Sequence, residues 1–232
     1  MNKIFTSSEY RYENKFYIDS LSKLEVNTIV KLHPSIFKEI FSKRFVNNIY
    51  YDSHTLENYR NNIEGQTNRL KVRIRWYGNL FGNIKNPTLE IKIKKGVLGK
   101  KVSIDLPNFF LDKKTDLLDL IHSNIKLFKS ELVDFKSLYP VLLNQYSRQY
   151  FISSDKNFRI TIDNKLLFIN IFEHKNSFKK SFQISDSIIL ELKYNPDYQT
   201  QANNIVQSFP FRISKSSKYV TGIEKTFQSI LY

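Results

Sequence analysis

The stretch RLKVRIRWYG, residues 69–78, decides how this chain is read. Lys71, Arg73 and Arg75 alternate with Val72, Ile74 and Trp76. A period of two sends successive side chains to opposite faces of a β-strand, so the spacing predicts a strand with one cationic and one apolar face. The apolar face belongs against a core. The cationic face looks either at bulk water or at an anion.

The pattern recurs. Arg11, Glu13 and Lys15 share a face of a first strand read over EYRYENKFYI (9–18). Glu90, Lys92 and Lys94 oppose Leu89, Ile91 and Ile93, and Tyr146, Arg148 and Tyr150 align. Arg159, Thr161 and Asp163 oppose Phe158, Ile160 and Ile162, while Glu191 and Lys193 oppose Leu190, Leu192 and Tyr194. A single strand of this kind is by default the wet outer face of a sheet. Neighbouring cationic faces repel one another, however, and Arg73, Arg75, Arg148 and Arg159 all fall on them. The alternative closes the strands into a barrel, with the cations lining its lumen and the apolar face packed on external helices. Such a lumen is stable when it is wet, balanced by carboxylates or filled by an anion. A chain of phosphates suits it, because Arg forks grip phosphate oxygens in pairs and Lys adds point charge.

The remaining elements fit an α+β chain. Strands are expected at 47–53, 86–96, 99–106, 140–152, 157–163, 166–172, 179–185 and 187–194, with a hairpin at Val97-Leu98 between two glycines. Helices are expected at 20–32, capped by Asp19 and ended by His33-Pro34, at about 54–65 ending on Gly65, in a pair over 113–138, at 198–208 and at 217–230. About ten long antiparallel strands with few breaks predict a closed or nearly closed barrel with helices outside. No repeat, low-complexity tract or linker divides the 232 residues, which predicts one domain over 1–232.

Net charge is +14, from 36 basic and 22 acidic residues, which points to a polyanionic partner. Lys outnumbers Arg 27 to 9 in a chain rich in Asn, Ile and Phe, as AT-rich coding would give, so the arginines carry more information. The absence of cysteine excludes disulfides, thiolate metal sites and a Cys nucleophile, and fits a cytoplasmic protein. The N-terminus lacks the apolar core of a signal peptide, and no run of about 18 apolar residues predicts a membrane span. The histidines His33, His54, His122 and His174 show no ligand spacing.

With these strands in order, the sequence resembles the VTC domain, the polyphosphate polymerase domain of the vacuolar transporter chaperone family, within the triphosphate tunnel metalloenzymes related to CYTH proteins. The resemblance covers about residues 9–226. RYENKF (11–16) resembles the first-strand motif and assigns Lys15 to the tunnel; YYDS (50–53) resembles the strand that follows. RLKVRIRWYG resembles the paired-arginine strand and assigns Arg73 and Arg75, LEIKIKKG gives Lys92, and GKKVSI gives Lys101. YSRQYF gives Tyr146 and Arg148, FRITID gives Arg159, and FRISKSSKYVTGIEK gives Lys215, Ser217 and Lys218. ILELKY gives Glu191 as the metal carboxylate, with Glu13 as a second candidate.

The resemblance implies a phosphotransferase that takes ATP or another nucleoside triphosphate and polyphosphate or pyrophosphate, with Mn²⁺ or Mg²⁺ and with Arg73, Arg75 and Lys218 at the reacting phosphate. Polyphosphate polymerase is the first expectation. A triphosphatase of the same fold and a non-catalytic polyanion binder are the alternatives, and no nucleic acid is expected because the aromatics fall mostly on apolar faces or in helices. Several residues also have plain readings: Lys101 as a surface charge at a hairpin end, Glu191 and Glu13 as counter-ions to the lysines, Ser217 as a helix N-cap, and Tyr146 and Tyr150 as packing residues. The sequence departs from the superfamily's Glu-x-Glu-x-Lys at Arg11, which removes one carboxylate. No counterpart of the inositol-polyphosphate-sensing SPX domain or membrane anchor of the eukaryotic polymerases is read in these residues, so a stand-alone bacterial domain is expected. A membrane partner is left open.

Overall fold

The structure is a computed structural model that describes residues 12–95, 98–124, 133–171 and 178–227. Its main sheet runs β1 (Tyr12–Ile18), β11 (Ile188–Tyr194), β9 (Phe158–Asn170), β8 (Tyr139–Ile152), β2 (Lys38–Asp52), β3 (Arg69–Tyr77), β5 (Thr88–Lys95) and β6 (Leu98–Asp105), with β10 (Ser181–Ile184) beside β9. Every pairing is antiparallel. A small second sheet pairs β4 (Gly82–Ile84) with β7 (Phe109–Leu111). The helices are α1 (Lys23–Lys31), α2 (Glu57–Ile63), α3 (Asp119–His122), α4 (Gln199–Ser208) and α5 (Lys218–Thr226).

The strand order starts at β1 and stops at β6, and no ladder joins them among the described residues. The sheet nevertheless curls until its ends face each other. Lys15 on β1 and Lys71 on β3 both reach the segment before α5: Lys15 Nζ donates to the Ser216 carbonyl at 3.2 Å and Lys71 Nζ to Ser217 Oγ at 3.2 Å. Lys92 on β5 interacts electrostatically with Glu13 and Lys15 on β1.

The apolar faces behave as their alternation predicts. Phe16, Ile160, Ile162, Leu190 and Leu192 from β1, β9 and β11 pack under Val26 and Val30 of α1 and Ala202 and Ile205 of α4. Ile49, Val72, Ile74, Trp76, Leu89 and Ile91 pack with Leu111 of β7 and Ile121 of α3. A third cluster does not fit the expected layout. Val46, Tyr50, Leu142, Tyr146 and Ile189 lie on the charged side of the sheet, where they pack with Leu56 and Tyr59 around α2 and with Tyr219, Ile223 and Phe227 around α5. Helices therefore cover both faces, and α5 enters the concave one.

Local boundaries differ from the expectations for identifiable reasons. Ser22, not Asp19, caps α1, because Glu25 three residues later completes a reciprocal capping box. β2 begins nine residues early, at Lys38, in a half whose residues are mostly exposed and whose register is broken by irregularities around Phe41. The expected strands 157–163 and 166–172 are one strand, β9, through Asn170. Lys165 takes a left-handed φ of 54° near a register shift against β8, and the inward parity changes from odd to even residues. Arg11, Val97, the segment 125–132 and the C-terminal end of the last helix lie outside the described residues.

Candidate functional site

Register decides which side chains share the concave face. Lys15 pairs with Glu191, Glu191 with Thr161, and Thr161 with Tyr150. Asp163 pairs with Arg148, and Arg148 with Arg44. Asn144 pairs with Asn48, Asn48 with Arg75, Tyr50 with Arg73 and Arg73 with Glu90, while Lys71 pairs with Lys92 and Lys92 with Lys101. The charged residues of eight consecutive strands therefore face one space.

They form two clusters. In the first, Glu90 receives Arg73 Nε at 2.8 Å and Lys101 Nζ at 2.9 Å, with Arg75 at 3.5 Å. Burial pushes the Glu90 carboxyl up, but Arg73, Arg75 and Lys101 outweigh it and hold the group well below the usual carboxylate range. Arg75 is oriented further by Asn48 Oδ1 at 2.9 Å and the Tyr146 hydroxyl at 3.2 Å, and Arg73 reaches the Tyr50 hydroxyl at 3.4 Å. In the second cluster Arg148 grips Asp163 with two bonds of 2.6 Å, and Lys218 Nζ lies 2.7 Å from Asp163 Oδ2. Glu191 takes Lys193 at 2.7 Å, with Lys218 at 3.5 Å and Lys15 and Arg148 at 3.6 Å. Burial again opposes ionisation, and the surrounding cations keep both Asp163 and Glu191 ionised.

Lys218 is delivered by α5. Ser217 caps that helix through Val220 N, as its plain reading expects, and also accepts from Lys71. Behind it, the buried Asp52 of YYDS accepts from the backbone of Asn58 and Tyr59 at 2.9 Å each and from the Tyr219 hydroxyl. Asp52 thus ties the start of α2 to the residue that follows Lys218. Tyr219 also stacks on Tyr50, which bonds Arg73, so α5 and the arginine strand are held by one chain of contacts.

The face holds more cation than its carboxylates neutralise. Lys71 has no carboxylate partner among the described residues; burial and the nearby Lys15, Lys92 and Arg73 push its pKa down from 10.5 to about 7. Lys92, which stays exposed to the open space, also forms no ion pair with the described residues.

Most residues expected from the sequence meet here: Glu13, Lys15, Arg73, Arg75, Lys92, Lys101, Tyr146, Arg148, Glu191, Ser217 and Lys218. Glu13 lies 3.1 Å from Lys15. Arg159 lies on the same face next to Lys193 in register, but is exposed and makes no ion pair with the described residues. Lys215 is exposed ahead of α5 and likewise unengaged. Lys71, Glu90, Asp163 and Lys193 were not singled out for the site, although their places on the alternating faces carried the signal.

The model of the VTC domain matches residues 10–227, and the chain belongs to that family. The PH1819 protein of Pyrococcus horikoshii shares the fold at 14% identity and a TM-score of 0.54, over 93% of this chain and 99% of its own. A Hippeastrum protein described as an adenylyl cyclase candidate with a dominant triphosphatase activity aligns at 11% identity and a TM-score of 0.49, over 93% of this chain and 96% of its own. No curated protein matches the sequence.

Proposed function

We propose that the concave face is a tunnel for oligophosphate and that the protein is a metal-dependent phosphotransferase, foremost a polyphosphate polymerase drawing on a nucleoside triphosphate. The observation that carries this reading is the surplus of basic groups at Lys71 and Lys92, between two clusters whose own carboxylates are already paired. Family membership supports the same substrate class.

Phosphoryl transfer asks a protein mainly to hold the phosphates in line and neutralise their charge. Arg73 and Arg75, oriented by Glu90, Asn48 and Tyr50, offer forked donors to one phosphate. Lys218, fixed by Asp163, serves its neighbour, and Lys15, Lys71, Lys92 and Lys101 line the path of the chain. An attacking phosphate oxygen is already ionised at neutral pH, so polymerisation requires no general base. The carboxylates Glu90, Asp163 and Glu191 are held by cations, which disfavours their use in activating water for a triphosphatase.

No group of three metal-ligating side chains occurs among the described residues. Glu13 and Glu191 both lie against Lys15, and such a pair of carboxylates suits Mg²⁺ or Mn²⁺, hard cations held by one or two carboxylates with phosphate oxygens completing the shell. Held by Glu13 and Glu191, the metal would supply positive charge that offsets the charge of the bound phosphates. No helix among the described residues is long and apolar enough to cross a membrane.

The test incubates the purified protein with ATP and Mn²⁺ or Mg²⁺ and resolves the products by gel and phosphate assay, beside Glu191→Gln and Arg73→Ala. Long phosphate chains from the wild type alone are expected. Free phosphate without chains would make the protein a triphosphatase. Phosphate binding without turnover would leave a binding module.

A further inference from the structure

The concave face does not end in lysines. One step beyond Arg75 on β3 stands Tyr77, and one step beyond Arg148 on β8 stands Tyr150; residues two apart on a strand are displaced by about 6.8 Å on the same face. Arg44, paired in register with Arg148, lies between them, its guanidinium 4.7 Å from the Tyr77 ring and 4.8 Å from the Tyr150 ring. The irregularity between Phe41 and Arg44 turns Phe41 to the same side, 5.1 Å from that guanidinium and edge-on to Tyr150.

This group has three unusual properties. Phe41 and Tyr77 are 52% and 48% exposed, so their rings present area that no part of the described protein covers. Arg44 makes no ion pair with the described residues, unlike Arg73, Arg75 and Arg148. Its Nε–H is also buried without a hydrogen-bond partner among the described residues, so no protein acceptor fixes the guanidinium on that side. Aromatic rings around a guanidinium form a stacking platform that accepts any flat π-system. The platform directly continues the row of arginines.

We propose that Phe41, Arg44, Tyr77 and Tyr150 form a nucleobase subsite at the rim of the phosphate face. The phosphates of a nucleoside triphosphate would lie on Arg75, Arg148 and Lys218 while its base stacks at the rim. The proposal rests on the phosphate reading above and deepens it: it makes the donor a nucleotide and distinguishes that donor from inorganic oligophosphate, which has nothing to place on the rings.

The test measures affinity for ATP and for tripolyphosphate by titration calorimetry at one fixed salt concentration, with wild type, Phe41→Leu, Tyr77→Leu and Phe41→Trp. Leucine keeps apolar volume and removes the ring; tryptophan restores a larger one. The leucine variants are expected to lose about fivefold or more in ATP affinity, with tripolyphosphate binding unchanged, and Phe41→Trp to recover it. Equal losses for both ligands, no loss for either, or a change only in oligomeric state would overturn the subsite. A wild type that binds neither ligand would overturn the phosphate face itself, and the subsite with it.

Discussion

Lys71 is the cation of the site whose charge is most sensitive near neutral pH. An ordinary lysine is charged across the biological range, whereas this one has a pKa of about 7 because it is buried among other cations. Between pH 7 and the ordinary lysine value the unfolded chain holds a proton that the native protein lacks, so stability of the ligand-free protein rises with pH across that window. Below pH 7 both states are protonated and the full penalty remains. A phosphate beside Lys71 favours its charged form. Binding of tripolyphosphate at pH 8 is therefore expected to take up protons, measured from the dependence of binding heat on buffer ionisation enthalpy. Lys71→Met should abolish much of that uptake and flatten the rise of melting temperature between pH 7 and 9. Uptake unchanged in the variant would exclude Lys71 as its source.

At the scale of elements, α5 controls the site. It crosses the concave face at Gly222, where an added Cβ would fall 2.3 Å from Leu142 Cδ2 and 2.7 Å from Phe168 Cδ1. Both neighbours are fully buried, so neither can yield cheaply. Gly222→Ala gains about 1 kcal/mol of helix propensity, against about 1–3 kcal/mol for overpacking a filled core. The expected result is a modest fall in melting temperature together with a larger fall in phosphate affinity, because shifting α5 moves Lys218 and Ser217 off the face. Wild-type affinity in this variant would show that the position of α5 does not set the site.

The same scale shows what the sequence could and could not reveal. Alternation in RLKVRIRWYG, FRITID and ILELKY placed Arg73, Arg75, Asp163 and Glu191 on one face, because a period of two is a local property. Which side of the curl that face occupies is global, and the resemblance to a known family supplied it. The entry of α5 into the concave side was hidden, because Tyr219, Ile223 and Phe227 give an ordinary amphipathic stripe that names no partner. The cations that surround Glu191, namely Lys15, Arg148, Lys193 and Lys218, come from four different elements and were not legible together. Charge balance across distant strands cannot be counted from one strand. The early half of β2 lacked alternation because its residues are largely exposed and its register breaks, and with it went the aromatic rim at Phe41 and Arg44.

For the whole molecule, the +14 charge is not spread evenly. Part is gathered by eight strands onto one curled face, where it repels itself and is only partly relieved by Glu13, Glu90, Asp163 and Glu191. On the proposed function an oligophosphate would relieve the rest, so the ligand is expected to bind there and not on the basic exterior. The most direct test is a titration of tripolyphosphate into wild type, Arg73→Ala and Lys31→Ala, the last removing an exposed lysine of the outer helix α1. Losing a forked phosphate contact should weaken binding by at least about tenfold in Arg73→Ala, while Lys31→Ala binds as wild type does. Equal affinities in all three proteins, or equal small losses in both variants, would mean that the anion meets a diffuse basic surface and that the concave face is not its site.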